Sequence, residues 1–137
     1  MTVIELSERI ESVFKSIQKV NQVSFGDAYN VLNNSQVKYP IVSYAPISME
    51  RDENLVVWTY RLYAAERLTD SKGNSMYNYA ELVQVLESGL SSLRNEDGIL
   101  EVRYPVRYSL ANQKFMDVDT VVYADVDIVT MNNTPIC

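Results

Sequence analysis

Twelve residues decide the fold of this chain: Asn54-Leu-Val-Val-Trp-Thr-Tyr-Arg-Leu-Tyr-Ala-Ala65. Successive side chains of a strand point to opposite faces, so apolar residues at every second position predict one rich face and one mixed face. The rich face holds Val56, Trp58, Tyr60, Leu62 and Ala64. The other face includes Thr59 and Arg61 and is typical of a partly exposed surface. We therefore predict one long strand that buries a single face.

A long helix is predicted after this strand, beyond a polar connector that runs from Glu66 to Gly73. Asn74 or Ser75 can cap the helix, which ends near Arg94. Its apolar residues recur at spacings of three and four, the period of a helix with one apolar face. They are Met76, Tyr79, Ala80, Val83, Leu86, Leu90 and Leu93. Because both apolar surfaces must leave water, we predict that the strand and the helix pack on each other as the core.

The segment before the long strand predicts two helices and an edge strand. Thr2 can cap a first amphipathic helix of about five turns, with Glu5 as its capping partner. A short second helix covers residues 28–32. The strand over residues 38–46 is bounded by prolines, which donate no backbone hydrogen bond, so we place it at a sheet edge. A charged hairpin loop over residues 48–53 then leads into the long strand.

Two strands are predicted after the long helix, over residues 99–109 and 119–130. The two strands can pair in an antiparallel register in which the numbers of each two facing residues add up to about 230. In this register the apolar residues of both strands share one face of the sheet and the charged residues share the other. The charged residues on that second face are Arg103, Arg107, Asp125 and Asp127. The predicted fold is α+β, a four-stranded, mainly antiparallel sheet with two long helices packed on one face. It forms one domain over residues 1–130, followed by a polar tail over residues 131–137.

The composition excludes several classes of function. Without any histidine, imidazole metal sites and Ser-His or Cys-His catalysis are excluded. The four glycines are never clustered, so no phosphate-binding loop is predicted. The net charge of −6 argues against nucleic-acid binding through a basic surface. No apolar run is long enough to span a membrane, and the N-terminus has no secretory signal pattern. We therefore expect a protein that is not an enzyme and has no cofactor and no membrane contact.

One set of carboxylates leaves an enzymatic alternative open. It consists of Asp117, Asp119, Asp125 and Asp127, with Glu101 on the neighbouring strand. Acidic side chains two positions apart on a strand share a face and can hold Mg²⁺ through oxygen ligands. The plainer interpretation, which we prefer, is a solvated face whose charges pair with the arginines of the neighbouring strand. A small non-enzymatic adaptor or binding module is the second alternative.

Exposed loops are the predicted places of contact with other proteins, because loops on a rigid scaffold often carry function. The hairpin loop over residues 48–53, the connector after the long strand and a long hairpin loop over residues 110–118 are the candidates. Two apolar residues of the last loop either fold back onto the core or anchor in a neighbouring subunit. The candidate interface residues are Arg51, Asp52, Glu66, Arg67, Asp70, Lys72, Phe115 and Met116.

Several short motifs, taken in their order along the chain, resemble one protein family. The long strand ends in Tyr63, Glu66, Arg67 and Leu68. The other motifs are Gly26-Asp27, Asn33-Asn34, Tyr39-Pro40-Ile-Val, Asn74, Phe115-Met-Asp117 and Tyr123-Ala-Asp-Val126. Together they resemble the tail-terminator, or head–tail completion, proteins of tailed bacteriophages, particularly crAss-like and other phages of Bacteroidota hosts. Glu66 departs from the aspartate that is more usual at this place in the family.

The resemblance implies a structural virion protein, located in the tail or neck and assembled in the cytoplasm of the bacterial host. It implies a small α+β subunit in a closed homo-oligomeric ring of six or twelve copies, built by head-to-tail contacts. The implied partners are portal, neck or tail-tube proteins, and DNA passes through the lumen without specific binding. Six copies carry 6 × −6 = −36 formal charges and twelve carry 12 × −6 = −72, so an acidic lumen would repel the duplex.

Overall fold

The structure, a computed structural model, describes residues 1–34, 36–68, 75–114 and 118–132. Its elements in chain order are α1 (Val3–Lys15), β1 (Gln22–Phe25), α2 (Ala28–Leu32), β2 (Ile41–Arg51), β3 (Leu55–Arg67), α3 (Ser75–Leu93), β4 (Ile99–Val102), β5 (Ser109–Lys114) and β6 (Val118–Met131). The predicted α+β class is confirmed. None of the helices within the described ranges is long and apolar enough to cross a membrane.

The six described strands form one mixed sheet. The order across it is β1-β2-β3-β6-β4, and β5 pairs with β6 on the same side as β4. β1 runs parallel to β2, and the other pairs are antiparallel. The predicted four-stranded sheet is therefore wrong in detail, since the described residues contain two further strands and one parallel pair.

The predicted strand over residues 99–109 is two strands in the structure. Val102 faces Ile128, as the predicted register requires. The ladder then ends near Pro105, which has no N–H to donate. The chain rejoins the sheet at Ser109, where the numbers of facing residues sum to 232 instead of 230. The interruption divides the outer side of β6 between two short neighbours.

Three other predicted boundaries also change. α1 ends at Lys15 and is shorter than the predicted five turns, and residues 22–25 join the sheet as β1, a strand that was not predicted. β2 continues to Arg51, so most of the predicted charged hairpin loop over residues 48–53 is strand. Similarly, β5 occupies most of the predicted loop over residues 110–118.

One face of the sheet is buried under α1 and α3. The predicted rich face of β3 is confirmed, and Tyr60 at its centre is 0% exposed. The buried residues that the helices contribute are Leu6, Ile10, Val13, Phe14, Leu82, Val85, Leu86, Leu90 and Leu93. The predicted stripe of α3 is confirmed from Val83 onward and at Tyr79, which packs against the core, but it is wrong at Met76 and Ala80, which are exposed. α3 packs against α1 as well as against the sheet, which turns Leu82 and Val85 inward.

The other face of the sheet is covered at one end by the short helix α2. Asp27 caps this helix, because its carboxylate accepts a hydrogen bond from the backbone N–H of Asn30 at 2.9 Å. A second apolar cluster joins α2 and the segment after it to the sheet. Its buried members are Ala28, Leu32, Val37, Ile41, Ala65 and Val121. This small helix leaves the other end of the face without a helical cover in the described ranges.

Gly89 marks the closest approach of α1 and α3, and its replacement tests this packing. A Cβ at Gly89 would overlap the ring of Phe14. Alanine normally stabilises an exposed helix position by about 1 kcal/mol relative to glycine, but overpacking costs about 1–3 kcal/mol. We therefore expect Gly89→Ala to lower the free energy of unfolding by about 1–2 kcal/mol in urea titrations.

Ser88→Ala, one residue away on the exposed side of α3, is the matched control and should leave stability unchanged or slightly higher. In a Phe14→Leu background the cost of Gly89→Ala should shrink, since the ring that the new methyl group meets is gone. Stabilisation by Gly89→Ala in the otherwise unchanged chain would contradict this packing.

Candidate subunit interface

The predicted interface residues lie at opposite ends of β3. Arg51 and Asp52 stand at the β2–β3 turn, whereas Glu66 and Arg67 close β3. At about 3.3 Å per residue, β3 separates the two groups by about 40 Å. The remaining candidates, Asp70, Lys72, Phe115 and Met116, lie outside the described residues. The four described candidates are therefore not brought together into one site.

Asp52 builds the turn between β2 and β3. Its carboxylate accepts hydrogen bonds from the backbone N–H groups of Asn54 and Leu55, both at 2.7 Å. These bonds lower the pKa of Asp52 below its ordinary value. The backbone carbonyl of Asp52 accepts a further bond from the side-chain amide of Asn132 at 2.7 Å. Arg51 is exposed and forms no ion pair within the described ranges, so of the two residues only Arg51 has a side chain available for a partner.

A polar cluster holds the far end of β3. The hydroxyl of Tyr39 donates to Oδ2 of Asp119 at 2.9 Å. The guanidinium of Arg67 lies over the Tyr39 ring, 5.4 Å from its centroid, and Arg67 faces Asp119 across the β3–β6 ladder. Asp119 is 0% exposed, and a buried carboxylate is stable only with such partners. Arg67 and Asp119 therefore fix the point from which the connector leaves the sheet.

Glu66 stands beside this cluster, on the helix side of the strand end. Burial raises the pKa of its carboxyl, although the backbone N–H of Arg67 donates to Oε1 at 2.9 Å and opposes this rise. The negative charge of Glu81 on α3 raises the pKa of Glu66 further. Glu81 itself forms an ion pair with Lys19 at 3.7 Å. The half-buried Glu66 is thus held in place by the fold.

The part of the sheet that α2 leaves uncovered is a polar surface, which we call the bare face. Facing residues on neighbouring strands share one side of a sheet, so cross-strand rows define this surface. The residues of the bare face are Ala45, Ser48, Glu50, Val57, Thr59, Arg61, Glu101, Arg103, Asp125, Asp127 and Val129. Four carboxylates and two guanidinium groups make this surface acidic.

Five of the six charged groups of the bare face have a partner on the same face, and Glu50 is the exception among the described contacts. Arg61 donates to both oxygens of Asp125, at 2.7 and 3.0 Å, and this pair raises the pKa of the guanidinium. The hydroxyl of Thr59 donates to Asp127 at 2.6 Å. Arg103 lies level with Asp127, as predicted, but its ion pair is with Glu101 at 3.9 Å. The predicted pairing of the two aspartates with arginines of the next strand is wrong, because β3 supplies their partners.

The carboxylates of the metal alternative are separated by these contacts. Asp119 is buried in the cluster with Tyr39, about 20 Å along β6 from Asp125 at 3.3 Å per residue. Asp125 and Asp127 bind Arg61 and Thr59, and Asp117 lies outside the described residues. Among the residues that the structure describes, no three acidic, histidine or cysteine side chains are arranged to hold a metal ion.

Sequence reasoning missed the apolar side chains that the structure leaves exposed at the sheet edges. They are Phe25, Ile47, Met49, Leu100 and Met131. Phe25 follows Val23 at strand spacing, and Ile47 and Met49 continue the alternation of β2 past Pro46. This alternation indicates that the strand continues past Pro46, but the charged residues after Met49 led to the prediction of a loop. The exposed residues extend the candidate interface from loops to strand edges.

Comparisons of the sequence with known families and curated proteins give no match. No family model matches the chain. No curated protein matches its sequence. What the surfaces can do follows from the residues themselves.

Removing the hydroxyl of Tyr39 tests the polar cluster. Tyr39→Phe deprives the buried Asp119 carboxylate of a hydrogen bond, and bonds to charged groups contribute about 1.5–3 kcal/mol. We expect a loss of about 2 kcal/mol in the free energy of unfolding, measured by urea titration. Tyr29→Phe is the matched control, since Tyr29 is 71% exposed on α2 and should lose almost nothing. Equal stability of the two variants would contradict the role of Tyr39.

The raised pKa of Glu66 predicts a pH dependence of stability. A carboxyl whose pKa is higher in the folded state contributes its full stability below the ordinary value of 4.5 and loses it as the pH rises through the folded value. We therefore expect Glu66→Gln to match the wild type in acid and to exceed it in stability at neutral pH. Thermal unfolding at several pH values measures this difference, with Glu87→Gln on the exposed side of α3 as control. A wild type more stable than Glu66→Gln at neutral pH would contradict the prediction.

Proposed function

We propose that this chain is a structural ring subunit at the head–tail junction of a tailed phage, either a tail terminator or a connector ring around the DNA channel. The proposal comprises a homo-oligomer of six or twelve copies. It also places portal, neck or tail-tube proteins in axial contact with the ring. The ring has no catalytic role, and DNA passes through its lumen without specific binding.

The observation that carries the proposal is the convergence of the motifs that resemble the phage family. Tyr39 and Arg67 come from two of these motifs, and the guanidinium lies over the ring. Tyr63 and Tyr123 come from two motif segments 60 residues apart, and their ring centroids are 5.9 Å apart. Segments that are distant in sequence thus form one end of the sheet. This is what motifs that belong to one structural unit require.

The bare face supports the proposal through its charge. A lumen that lets DNA pass has to avoid binding phosphates, because Lys and Arg contacts to phosphates supply most non-specific affinity. On the bare face, carboxylates outnumber guanidinium groups, and Arg61 and Arg103 each lie in an ion pair. We therefore assign the bare face to the lumen, with α1 and α3 on the outside of the ring.

The connector after β3 suits contacts along the ring axis. It leaves the sheet at the fixed end formed by Arg67 and Asp119. The β2–β3 turn lies at the opposite end of β3 and presents Arg51. A subunit whose two strand ends face opposite neighbours can contact one partner above the ring and another below it.

Assembly of the purified chain tests the proposal. We expect native mass spectrometry to show a closed species of 6 × 15.7 = 94 kDa or 12 × 15.7 = 188 kDa, and negative-stain images to show rings. Because a ring subunit can wait for its partner before it closes, purified phage particles that carry the chain are the second measurement. Antibodies against the chain should label their head–tail junction.

Two results together would contradict the proposal: a monomer at every concentration and absence of the chain from purified particles. They would favour the adaptor alternative. A ring whose lumen is lined by unpaired Lys or Arg side chains would overturn the assignment of the bare face.

A further inference from the structure

Four strands lie abreast at the end of the sheet that α2 does not cover. In one row, Glu50 of β2 faces Val57 of β3, Val57 faces Val129 of β6, and Val129 faces Glu101 of β4. β1 reaches β2 only as far as Tyr44, and no strand of the described ranges pairs with the outer side of β4. The sheet therefore has two open edges at the same level. We call residues 47–51 the β2 edge and residues 99–103 the β4 edge.

The strand directions of the two edges are compatible with pairing between copies. β2, β3, β6 and β4 are each antiparallel to the next, so β4 runs opposite to β2. When one copy is followed by another in the same orientation, the β4 edge of the first meets the β2 edge of the second antiparallel. Such a heterologous contact repeats around an axis and closes into a ring.

The β2 edge has apolar side chains that no described neighbour covers. Met49 faces the buried Trp58 across the β2–β3 ladder and is 49% exposed. Ile47 stands in the bulge between Pro46 and Ser48, where the register shifts. Proline and bulges also protect strand edges from unwanted pairing. Here they confine pairing to the residues after the bulge, which are those level with the β4 edge.

The β4 edge borders a groove of about 600 Å³ between the strand and the end of α3. Leu100 and Tyr104 line it and are each about half exposed. Arg94 of α3 lies over the Tyr104 ring, 5.5 Å from its centroid. The groove thus offers apolar contact area for a side chain such as Met49 from a neighbouring strand.

The charges of the two edges are complementary. The β2 edge carries Glu50 and Arg51, and the β4 edge carries Glu101 and Arg103, so each edge has one acidic and one basic side chain. Pairing of two β2 edges about a two-fold axis would bring like charges together, which is unfavourable. A head-to-tail contact instead lets the acidic side chain of one edge meet the basic side chain of the other.

Charge also selects the register. Pairing at the same level would place Glu50 opposite Glu101, because both belong to one row. A slip of two residues keeps every side chain on its own face and places Glu50 opposite Arg103. In this register Met49 meets Tyr104 at the groove. Opposite charges in facing positions stabilise a pair of strands.

We propose that the β2 edge of one copy pairs antiparallel with the β4 edge of the next, Glu50 opposite Arg103, so that one sheet continues around the ring. This inference rests on the proposed ring and names its lateral contact. Six copies with four strands each give 6 × 4 = 24 strands. If neighbouring strands are about 4.8 Å apart, the closed sheet has a circumference of about 115 Å and a backbone diameter of about 37 Å. Tilted strands would make the diameter larger. After inward side chains are allowed for, such a channel still admits a DNA duplex, and six copies suffice.

Charge exchange tests the contact on the full chain. Glu50→Arg and Arg103→Glu should each weaken lateral association about fivefold or more, seen as fewer rings in native mass spectrometry. The double variant should recover most of the wild-type population, because the pair is restored with its signs reversed. Lys15→Glu and Glu87→Arg, alone and combined, are matched controls on the exposed sides of α1 and α3 and should leave assembly unchanged. Circular dichroism checks that every variant is folded.

Cysteine cross-linking tests the register. With Cys137→Ser as background, the Glu50→Cys and Arg103→Cys double variant should form covalent ladders on oxidation, and neither single variant should. Ladders without closed rings would support the edge contact and overturn the ring. Wild-type rings with no ladder and no effect of charge exchange would overturn the edge contact while the ring stands. Dimers from Glu50→Cys alone would show two-fold pairing of β2 edges and would also overturn it.

Discussion

The uninterrupted ladder between β3 and β6 is the constraint on which the rest of the structure depends. It pairs every residue from Leu55, opposite Met131, to Arg67, opposite Asp119, without a bulge. Because side chains alternate, this register sends Trp58 to the helices and Thr59 to the bare face. A slip of one residue would drive the charged residues of β6 into the core, where unpaired charges are very costly. The two faces of the sheet therefore have fixed and different chemistry.

The open edges follow from unequal strand lengths around this ladder. β6 is longer than either neighbour on its outer side, so β4 and β5 share it and the Pro105 segment interrupts them. β2 is likewise longer than β1, which covers it only from Ile41 to Tyr44. In the described ranges, β2 has no strand on its outer side after Tyr44, and β4 has none along its outer side. Free strand edges must be protected or paired, and here both edges lie on one level with opposite directions.

The sequence predicted the features that depend on residues close together in the chain, and few of the features that depend on distant residues. The alternation in β3 and the cap of α1 by Thr2 depend on near neighbours, and the sequence was sufficient for both. β1 is four residues long with only Val23 buried, and it exists because β2 offers it an edge. The ion-pair partner of Asp125 depends on which strand lies beside β6, and the spacing of residues in the sequence does not reveal this neighbour. The candidate interface residues could therefore be predicted from residue types on the predicted loops. The exposed strand edges and the ion pairs of the bare face could be identified only from the folded sheet.

The positions of the charged groups distinguish the candidate functions better than the net charge of the chain does. A metal-dependent enzyme needs carboxylates that converge on one point, and here Asp119 is buried at one end of β6 while Asp125 and Asp127 bind groups of β3. An adaptor needs an anchor on the surface that meets its partner, but most charged groups of the bare face are bonded to groups of the same face. A channel wall has the opposite requirement, a surface that excludes a polyanion weakly and evenly and binds it nowhere. Paired charges with a small acidic excess meet that requirement. In the ring that we propose, the exposed apolar groups at the two edges would lie between subunits and away from the DNA.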